Sequence, residues 1–243
     1  MRTVAIIQAR MGSTRLPGKI MKDLGGDTVL ARVVRRLSRA ALIDEMVVAT
    51  TNGVADEVIV QECNRLGVAH FRGSEGDVLD RHYRAAMEHG AEAVVRIPSD
   101  KPMIDPEVCD FVVRTFLEKQ PDYASNAWQR TFPLGLDTEI MTFAALARAW
   151  KEGSKPYERI HVTPYIYEHP NLFRVLHVKG EHDYGQYRWT LDTPEDLVFL
   201  RAVYDRLGNV DTFHWREVLA LLDREPALRQ LNQHVRQKVL HEC

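Results

Sequence analysis

Hydrophobic and polar positions alternate along the first 120 residues in blocks typical of strands and helices. Residues 3–8 form a short apolar run, rich in β-branched side chains, that ends in a polar loop, which is the pattern of a buried strand. From Thr28 onward, apolar side chains recur at every fourth position, and they are Val29, Val33, Leu37 and Ala41. Because arginines occupy other positions around the turn, this spacing predicts an amphipathic helix with Thr28 as its N-cap.

The same rhythm of strand and helix continues to about residue 120. The pattern predicts strands near 46–51, 68–71 and 93–97, and helices near 54–66 and 77–89. A further helix of about 15 residues is expected to begin at Asp105, because Asp is a good N-cap and Pro106 suits the first helical position. Strands that alternate with helices in this way indicate a parallel sheet covered on both faces, so we expect an α/β fold.

The pattern loosens over residues 121–185, which hold five prolines and many aromatic residues. Here we expect short strands and one or two helices, inserted into the sheet domain. A strand is predicted to return to the core near 186–191, followed by helices near 194–207, 213–223 and 226–240. We therefore expect one domain over residues 1–243, made of an α/β half (1–120), an insertion (121–185) and a C-terminal part (186–243).

Composition and charge exclude several classes of protein. The chain has 243 residues, of which 45% are hydrophobic, and a formal net charge of -2, as expected of a soluble globular protein. This charge argues against a nucleic-acid or membrane-surface partner, for which a basic excess is expected. Since no run of about 18 apolar residues occurs, no membrane span is expected. The three cysteines form no C-x-x-C pair, which indicates reduced thiols and a cytoplasmic location.

The segment directly after the first predicted strand, QARMGSTRLPGK over residues 8–19, is a candidate phosphate-binding loop. In open parallel sheets, ligands bind beyond the carboxyl ends of the strands, and this loop combines two glycines with the cations Arg10, Arg15 and Lys19. It is not a Walker loop, because five residues rather than four separate the glycines, and isoleucine follows the lysine where a metal-binding Ser or Thr is needed. A basic surface loop around a turn is the alternative interpretation.

Four segments resemble the cytidylyltransferases that activate acidic sugars, and they are residues 6–19, 73–81 (GSEGDVLDR), 99–102 (SDKP) and 191–196 (LDTPED). That family includes the acylneuraminate and 3-deoxy-manno-octulosonate enzymes, and the most similar branch is spore coat polysaccharide biosynthesis protein F. The resemblance implies a nucleotide-diphospho-sugar transferase fold, a three-layer α/β/α Rossmann-like and mostly parallel sheet with an inserted β-rich segment for substrate and dimerisation. It also implies CTP as the nucleotide, Mg²⁺ as the cofactor and a homodimer.

Nucleotidyl transfer requires positive charge around a triphosphate, because pyrophosphate departs with added negative charge. Asp100 and Asp192 each follow an apolar run, so both are expected at the sheet edge that carries the phosphate loop, and the resemblance implies that they bind Mg²⁺. Asp192 precedes a good helix start at Thr193 and Pro194, so a purely structural role is the alternative for it. Lys101 departs from the family pattern and would compete for the Asp100 carboxylate by ion pairing.

The resemblance also implies a set of nucleotide-binding residues, which are Ala9, Arg10, Met11, Gly12, Ser13, Arg15, Lys19, Thr51, Arg72 and Ser74. The candidate catalytic residues are Arg10, Arg15, Lys19 and Asp100. Two alternatives stay open for this region of the chain. Thr50, Thr51 and Asn52, at the end of a predicted strand, are candidates to read the base through short polar contacts, whereas Asn52-Gly53 equally fits an ordinary turn. Arg81 and Arg84 also fit the solvated face of a helix.

Acceptor-binding residues are expected in the insertion. Residues 133–139 (PLGLDTE) and 158–167 (ERIHVTPYIY) resemble family segments, which makes Glu139 and His161 candidates for binding the sugar. Polar packing or a dimer contact is the alternative for the histidine.

Together, these features of the sequence predict transfer of CMP from CTP to an acidic or modified sugar, with release of pyrophosphate, for surface polysaccharide biosynthesis. A glycosyltransferase of the same fold, or a non-catalytic nucleotide-binding protein, is the alternative, although the sequence contains no Asp-x-Asp motif.

Overall fold

The computed structural model describes residues 1–237, which fold around a seven-stranded sheet. The strands are β1 (Thr3–Gln8), β2 (Glu45–Thr51), β3 (Ala69–Gly73), β4 (Ala93–Pro98), β5 (Tyr123–Ser125), β6 (Glu139–Thr142) and β7 (Val175–His177). They lie in the order β3-β2-β1-β4-β6-β5-β7. Neighbouring strands are parallel except around β6, which is antiparallel to both β4 and β5. The mostly parallel sheet expected from the sequence is therefore confirmed.

The helices of the described chain are α1 (Val29–Leu37), α2 (Glu57–Leu66), α3 (Val78–Glu88), α4 (Pro106–Lys119), α5 (Phe143–Glu152), α6 (Pro156–His161), α7 (Pro164–Tyr167), α8 (Pro194–Arg206), α9 (Trp215–Arg224) and α10 (Ala227–Gln230). Two 3-10 helices, Lys19–Met21 and Val54–Asp56, lie in the connections after β1 and β2. As predicted, Thr28 and Asp105 cap α1 and α4 through their side-chain oxygens. None of the described helices is long and apolar enough to span a bilayer.

Strand β1 shows how the sheet separates two layers of helices. Ala5 and Ile7 pack with residues of α1, α2 and α4 on one face, whereas Val4 and Ile6 pack with residues of α3 and α5 on the other. Successive side chains of a strand point to opposite faces, and because helices cover both faces, residues 3–7 are all buried. This is the three-layer α/β/α arrangement expected from the sequence.

The segment 121–185 differs from its prediction in composition. It adds β5, β6 and β7 to the main sheet, but it also forms three helices, α5, α6 and α7, rather than one or two, and more of its residues are helical than extended. The insertion therefore supplies three of the seven strands, as expected, but contains more helix than the sequence predicted. Two of the prolines, Pro156 and Pro164, occupy the first turn of a helix, where the missing proline N–H has no partner to lose.

The C-terminal part also corrects two predictions. Residues 186–191 form no strand and contribute one isolated bridge, between Arg188 and Leu134, because Trp189 and Leu191 are buried in a separate hydrophobic core beneath α8 and α9. The helix expected over 226–240 is short, since α10 ends at Gln230 and turns follow to residue 234. Residues 238–240 of that prediction lie outside the described residues. The predicted helix near 194–207 is confirmed by α8.

Candidate active site

The carboxyl ends of β1, β2, β3 and β4 meet at one edge of the sheet, and the candidate phosphate loop begins there. In the register of the parallel strands, Gln8 lies beside both Ala49 of β2 and Pro98 of β4. The loop closes on itself, because the Gly18 N–H donates to the Met11 carbonyl oxygen at 3.2 Å. Gly18 has φ +65°, a left-handed conformation that glycine adopts without strain. This turn directs the chain into the short helix that begins at Lys19.

Lys19 joins the two aspartates that the sequence placed at this edge. Its Nζ atom donates to Asp100 Oδ2 at 2.6 Å, to Asp192 Oδ1 at 3.0 Å and to the Leu191 carbonyl oxygen at 2.8 Å. Arg15 also contacts Asp192 Oδ1, at 3.0 Å. Four of the predicted residues therefore share one cluster, although Lys19 and Asp192 lie 173 positions apart in the chain.

Opposite charges in this cluster shift the pKa values of Lys19 and Asp192. Burial by itself would lower the pKa of Lys19, but attraction from Asp100 and Asp192 outweighs burial and raises the pKa above its ordinary value. Burial by itself would raise the pKa of Asp192, but the positive charges of Lys19 and Arg15 outweigh it and the pKa is lowered. The lysine is therefore an ammonium group and Asp192 a carboxylate over the physiological pH range.

Arg188 is a member of this cluster that sequence reasoning missed. One guanidinium nitrogen lies 3.0 Å from Asp192 Oδ2, and the same group forms two further bonds to the buried Asp196, at 2.8 and 2.7 Å. Its sequence position was assigned to a strand, so no pattern in the sequence connected it with the aspartates. With Arg188 on one oxygen and Lys19 and Arg15 on the other, the Asp192 side chain is only 8% exposed.

The alternative of a purely structural Asp192 finds no support in the helix that follows it. The cap of α8 is formed by Thr193, whose side chain accepts from the Asp196 N–H, while the Asp196 carboxylate accepts from the Thr193 N–H at 3.0 Å. The Asp192 carboxylate takes part in neither bond and points to the cations instead. Lys101 likewise does not compete for Asp100, because its ammonium lies 2.8 Å from Asp137.

The donor set of Asp100 and Asp192 fits a magnesium ion. Both carboxylates contact the same ammonium nitrogen, at 2.6 and 3.0 Å, so a single positive charge already lies between them. Carboxylate oxygens are the protein ligands that Mg²⁺ prefers, and it takes its remaining ligands from phosphates and water. Since the Asp100 side chain is 24% exposed, it would meet a metal-bound triphosphate from the open side of the cluster.

A second group with metal-binding geometry lies elsewhere, at the start of α4. Single ligand atoms of Asp105, Glu107 and His214 lie within 4.8 Å of one another. Both Asp105 oxygens already bind backbone amides, one those of Glu107 and Val108, the other that of Trp215 at 2.8 Å. We therefore assign this group to the packing of α9 against α4.

The remaining loop residues are placed along the same edge. The Ala9 N–H continues the ladder to Ala49, and the Met11 N–H donates to Asp56 at 2.7 Å, so neither amide is directed at a ligand. Gly12 is exposed, and Ser13 lies within the loop, where its hydroxyl accepts from the Leu16 N–H at 3.4 Å. Arg10 is exposed and 3.8 Å from Glu75 of the β3–α3 connection.

The predicted residues at the ends of β2 and β3 bond mainly to the protein itself. The Thr51 hydroxyl donates to Asp56 at 2.5 Å, and the Arg72 guanidinium donates to the carbonyl oxygens of Thr51 and Gly53 and pairs with Glu57. Ser74 is exposed at the same edge, where its hydroxyl accepts from the Asp77 N–H at 3.1 Å. Thr51 and Arg72 are therefore engaged within the protein at the edge of the sheet that carries the loop.

The two arginines of α3 have different environments, although the sequence suggested a solvated face for both. Arg84 is exposed and pairs with Asp80. Arg81 is only 2% exposed and donates to the Ser74 carbonyl oxygen at 2.7 Å, so that prediction was wrong for it. Burial, together with repulsion from Arg10, lowers the pKa of Arg81 to about 10. Through its bond to Ser74, Arg81 holds the β3–α3 connection from inside the protein.

The predicted acceptor residue Glu139 is buried at the start of β6. Its carboxylate pairs with Arg96 and accepts from the hydroxyls of Tyr123 and Thr163, each at 2.7 Å. Burial by itself would raise the pKa of Glu139, but the Arg96 charge and these hydroxyls lower it. His161 is half-buried at the end of α6, two residues before Thr163. The Glu139 carboxylate thus joins β4, β5 and the residue before α7 through contacts inside the protein.

A second ion-pair group borders this region, formed by Lys101, Arg130 and Asp137. Asp137 is buried, and both cations contact its carboxylate. Burial by itself would raise the pKa of Asp137, but attraction from Lys101 and Arg130 lowers it. Asp137 belongs to the motif from which only Glu139 had been selected, and Arg130 lies in a loop that carried no recognised motif.

Comparison with known proteins agrees with this geometry. A sequence profile of the family described as Cytidylyltransferase matches residues 4–237. Spore coat polysaccharide biosynthesis protein SpsF of Bacillus subtilis is 33% identical over 228 residues, which cover 91% of this chain and 94% of its own. A 3-deoxy-manno-octulosonate cytidylyltransferase of Anaeromyxobacter dehalogenans is 39% identical over 242 residues, which cover 84% of this chain and 98% of its own.

A solved structure shows the same relation in three dimensions. The cytidylyltransferase of Leptospira borgpetersenii serovar Hardjo-bovis superposes with a TM-score of 0.92 at 34% identity, covering 98% of this chain and all of the other. Profile, sequences and fold therefore agree over nearly the full length. The chain is a nucleotidyltransferase that belongs to the cytidylyltransferase family.

Proposed function

We propose that this cytidylyltransferase moves CMP from CTP to a hydroxyl of an acidic or modified sugar and releases pyrophosphate, for surface polysaccharide biosynthesis. The observation that carries the proposal is the convergence of Lys19, Arg15, Asp100 and Asp192 at one edge of the sheet. In this reaction the sugar hydroxyl loses its proton to water and its oxygen bonds to the α-phosphorus, while the bond from that phosphorus to the oxygen bridging to the β-phosphate breaks. Negative charge then grows on the departing pyrophosphate.

The cations of the phosphate loop are suited to that growing charge. Arg10 and Arg15 present partly exposed guanidinium groups, which form the paired, charge-assisted hydrogen bonds that phosphate oxygens accept. Lys19 is more buried and holds its charge firmly, since attraction from two carboxylates raises its pKa. In the proposed role, these three side chains orient the triphosphate and stabilise pyrophosphate as it leaves.

Asp100 and Asp192 would hold Mg²⁺, which neutralises charge at the α-phosphate when it is bound. Lys19 would then turn from the aspartates towards the phosphates. Arg188 keeps Asp192 in place by occupying the Oδ2 atom and leaving Oδ1 towards the loop.

An acidic acceptor is supported by the charges beside Asp100. Three cations, Arg96, Lys101 and Arg130, are matched by two acids, Asp137 and Glu139, so one positive charge of this group is left over. A sugar carboxylate would balance that charge. The names of the relatives agree in kind, since one acts on an octulosonate and the other serves polysaccharide synthesis.

Release of pyrophosphate is the direct test. CTP, UTP, ATP and GTP would each be combined with Mg²⁺ and a panel of ulosonic acids, with neutral sugars as comparison. We expect turnover with CTP and an acidic sugar, and a loss of about a hundredfold to a thousandfold in kcat/KM for Asp100→Asn. Asp205→Asn, an exposed aspartate on α8, serves as the matched control and should keep normal activity. Near-normal turnover by Asp100→Asn would remove that residue from the mechanism.

The homodimer and the cytoplasmic location expected from the sequence belong to the same proposal. Sedimentation velocity at several protein concentrations would test the dimer, and cell fractionation the location. A monomer at all concentrations would contradict the first, and recovery from the membrane or secreted fraction the second.

A further inference from the structure

Asp56 stands at the N-cap position of α2 but does not cap that helix. An aspartate at this position normally accepts a hydrogen bond from the second or third amide of its own helix. Here no such bond forms. Instead, the carboxylate reaches 45 residues back along the chain and accepts from the Met11 N–H at 2.7 Å. One oxygen of the side chain, Oδ1, therefore holds the phosphate loop, while the other, Oδ2, accepts from Thr50 and Thr51 at the end of β2.

The bond from Met11 fixes the base of the whole loop. The Met11 peptide is held on both sides, because its N–H donates to Asp56 and its carbonyl oxygen accepts from the Gly18 N–H at 3.2 Å. Gly18 directly precedes Lys19, whose ammonium holds Asp100 and Asp192. A continuous series of bonds thus runs from Asp56 through the closed loop to the charged cluster.

Thr51 holds Asp56 in this orientation. Its hydroxyl donates to Asp56 Oδ2 at 2.5 Å and accepts from the Gly53 N–H at 3.0 Å, so both its donor and an acceptor lone pair are engaged inside the protein. Thr51 is 2% exposed and Asp56 3% exposed. A side chain so placed presents no polar surface to a nucleotide, which argues against direct reading of the base by Thr51.

We infer that Thr51 and Asp56 are positioning residues that set the phosphate loop in its binding conformation before the nucleotide arrives. The inference rests on the proposed function only for the identity of the ligand. A loop that is already ordered loses less conformational freedom on binding, so the pair contributes to nucleotide affinity. It contributes equally to the ground state and the transition state, and it does not choose between bases.

The kinetic test compares Thr51→Val and Asp56→Asn with the unchanged protein. Thr51→Val keeps the shape of the side chain but removes the hydroxyl, and Asp56→Asn keeps one acceptor but removes the charge. We expect each to raise the KM for CTP by about tenfold, with kcat and the preference for CTP over UTP unchanged, because a bond to a charged acceptor is lost or weakened. Thr51→Ser, which restores the hydroxyl, should return KM to normal.

A double variant tests whether the two residues act as one unit. Since Thr51 works through Asp56, the KM of the double variant should be no higher than that of the more impaired single variant. If the increases in KM of the two single variants multiply in the double variant, the residues act independently and Thr51 does not work through Asp56. A changed CTP to UTP preference in Thr51→Val would show that Thr51 reads the base, and would overturn the inference.

Asp44 provides a matched control. It directly precedes β2, whereas Thr51 and Asp56 lie at and beyond the other end of that strand. Its carboxylate accepts from the Thr3 N–H at 2.7 Å, just as Asp56 accepts from Met11 beyond the end of β1. Asp44→Ala should lower Tm but leave the KM for CTP unchanged. If the Asp56 variants behave in the same way, with lower Tm and normal KM, Asp56 is merely structural and the inference fails.

Amide hydrogen exchange without nucleotide separates this inference from the proposed function. We expect the Met11 and Gly18 amides to exchange about tenfold faster or more in Asp56→Ala, and less markedly in Asp56→Asn and Thr51→Val. The latter two decide the question if Asp56→Ala does not fold. If the Met11 amide exchanges no faster in Asp56→Asn and Thr51→Val than in the unchanged protein, Asp56 does not anchor the loop. Faster exchange in a protein that neither binds nor turns over CTP would leave the anchoring intact and refute the proposed function alone.

Discussion

At the scale of single residues, the two lysines near Asp100 show how the fold divides similar side chains between different tasks. Lys101 is the neighbour of Asp100 in sequence, yet its ammonium pairs with Asp137. Lys19 is 81 residues away in sequence and lies 2.6 Å from Asp100. Because Lys101 is engaged elsewhere, the charge that balances Asp100 comes from the phosphate loop.

Replacing Lys19 by methionine should abolish most of the activity. The variant keeps a long side chain but removes the charge that the proposal assigns to the departing pyrophosphate, so we expect kcat to fall by about a hundredfold to a thousandfold. Pyrophosphate release at saturating CTP measures this, and circular dichroism checks folding. Lys22→Met, three residues further on, is the matched control and should retain kcat. Equal activity of both variants would contradict the role of Lys19.

The ion pair of Glu139 with Arg96 predicts a pH dependence of stability. Burial by itself raises the pKa of Glu139, but Arg96 and two hydroxyl donors bring it below the ordinary value of 4.5. A carboxyl group with a lowered pKa stabilises the fold at pH values above its unfolded pKa, and this contribution is lost as the pH falls through the folded pKa. The wild-type protein should therefore lose stability on acidification partly through this group.

Glu139→Gln should cost about 3 kcal/mol of unfolding free energy at neutral pH, because it leaves the Arg96 charge unpaired. The difference from wild type should shrink as the pH falls below the ordinary pKa of 4.5, because Glu139 is protonated first in the unfolded protein and only at lower pH in the folded protein. Denaturant unfolding at a series of pH values measures this. Glu118→Gln, an exposed site on α4, should give a small difference that does not vary with pH. A constant difference for Glu139→Gln would contradict the assignment.

At the scale of elements, the starts of helices follow local rules. Thr28, Asp105 and Thr193 each cap the helix that begins after them, and each was identified from its position before a helix-forming stretch; Asp77 also caps its helix, although the sequence predicted only that a helix begins near it. Capping depends on residues within one turn, so the sequence contains all the information. Asp105 goes further, since its second oxygen also holds the first amide of α9.

Asp105→Ala should therefore destabilise more than the loss of an ordinary cap. It removes the bonds to Glu107 and Val108 at α4 and the bond to the buried Trp215 N–H, so we expect a loss of about 2–4 kcal/mol. Thr142→Ala, which removes one cap bond at α5, should cost about 1 kcal/mol. Urea unfolding of both variants measures the two costs. Equal costs would show that the contact with α9 contributes nothing.

At the scale of the whole molecule, the described chain has two hydrophobic cores against the sheet and a third beneath α8 and α9. Arg36 of α1 joins the third core to the others. Its buried guanidinium donates to the carbonyl oxygens of Ile104, Asp211 and Phe213, at 2.8 to 3.1 Å. Helical periodicity predicts that Arg36 lies on the polar side of α1. In the fold, Asp211 and Phe213 of the C-terminal part cover that side.

Arg36→Met should loosen the attachment of the C-terminal part. Three buried carbonyl oxygens would lose their donor, so we expect a loss of about 3 kcal/mol or more. Hydrogen exchange should rise first in α9, which follows Phe213. Arg35→Met, at a half-exposed side chain paired with Asp27, should cost less than about 1 kcal/mol. Similar exchange in α9 for both variants would contradict this linking role.

The sequence by itself determined β1 to β4, α1 to α4 and the sheet edge at which Lys19, Asp100 and Asp192 meet. Periodicity and capping act within an element, and parallel strands bring their carboxyl ends together, so local patterns suffice for these features. Tertiary structure alone decided the burial of Arg81, the bonds of Asp56 and Arg188, and the packing of residues 186–191 outside the sheet. Those features depend on partners that are distant in the chain, and a periodic pattern records that a side chain is buried or polar but not which residue it meets.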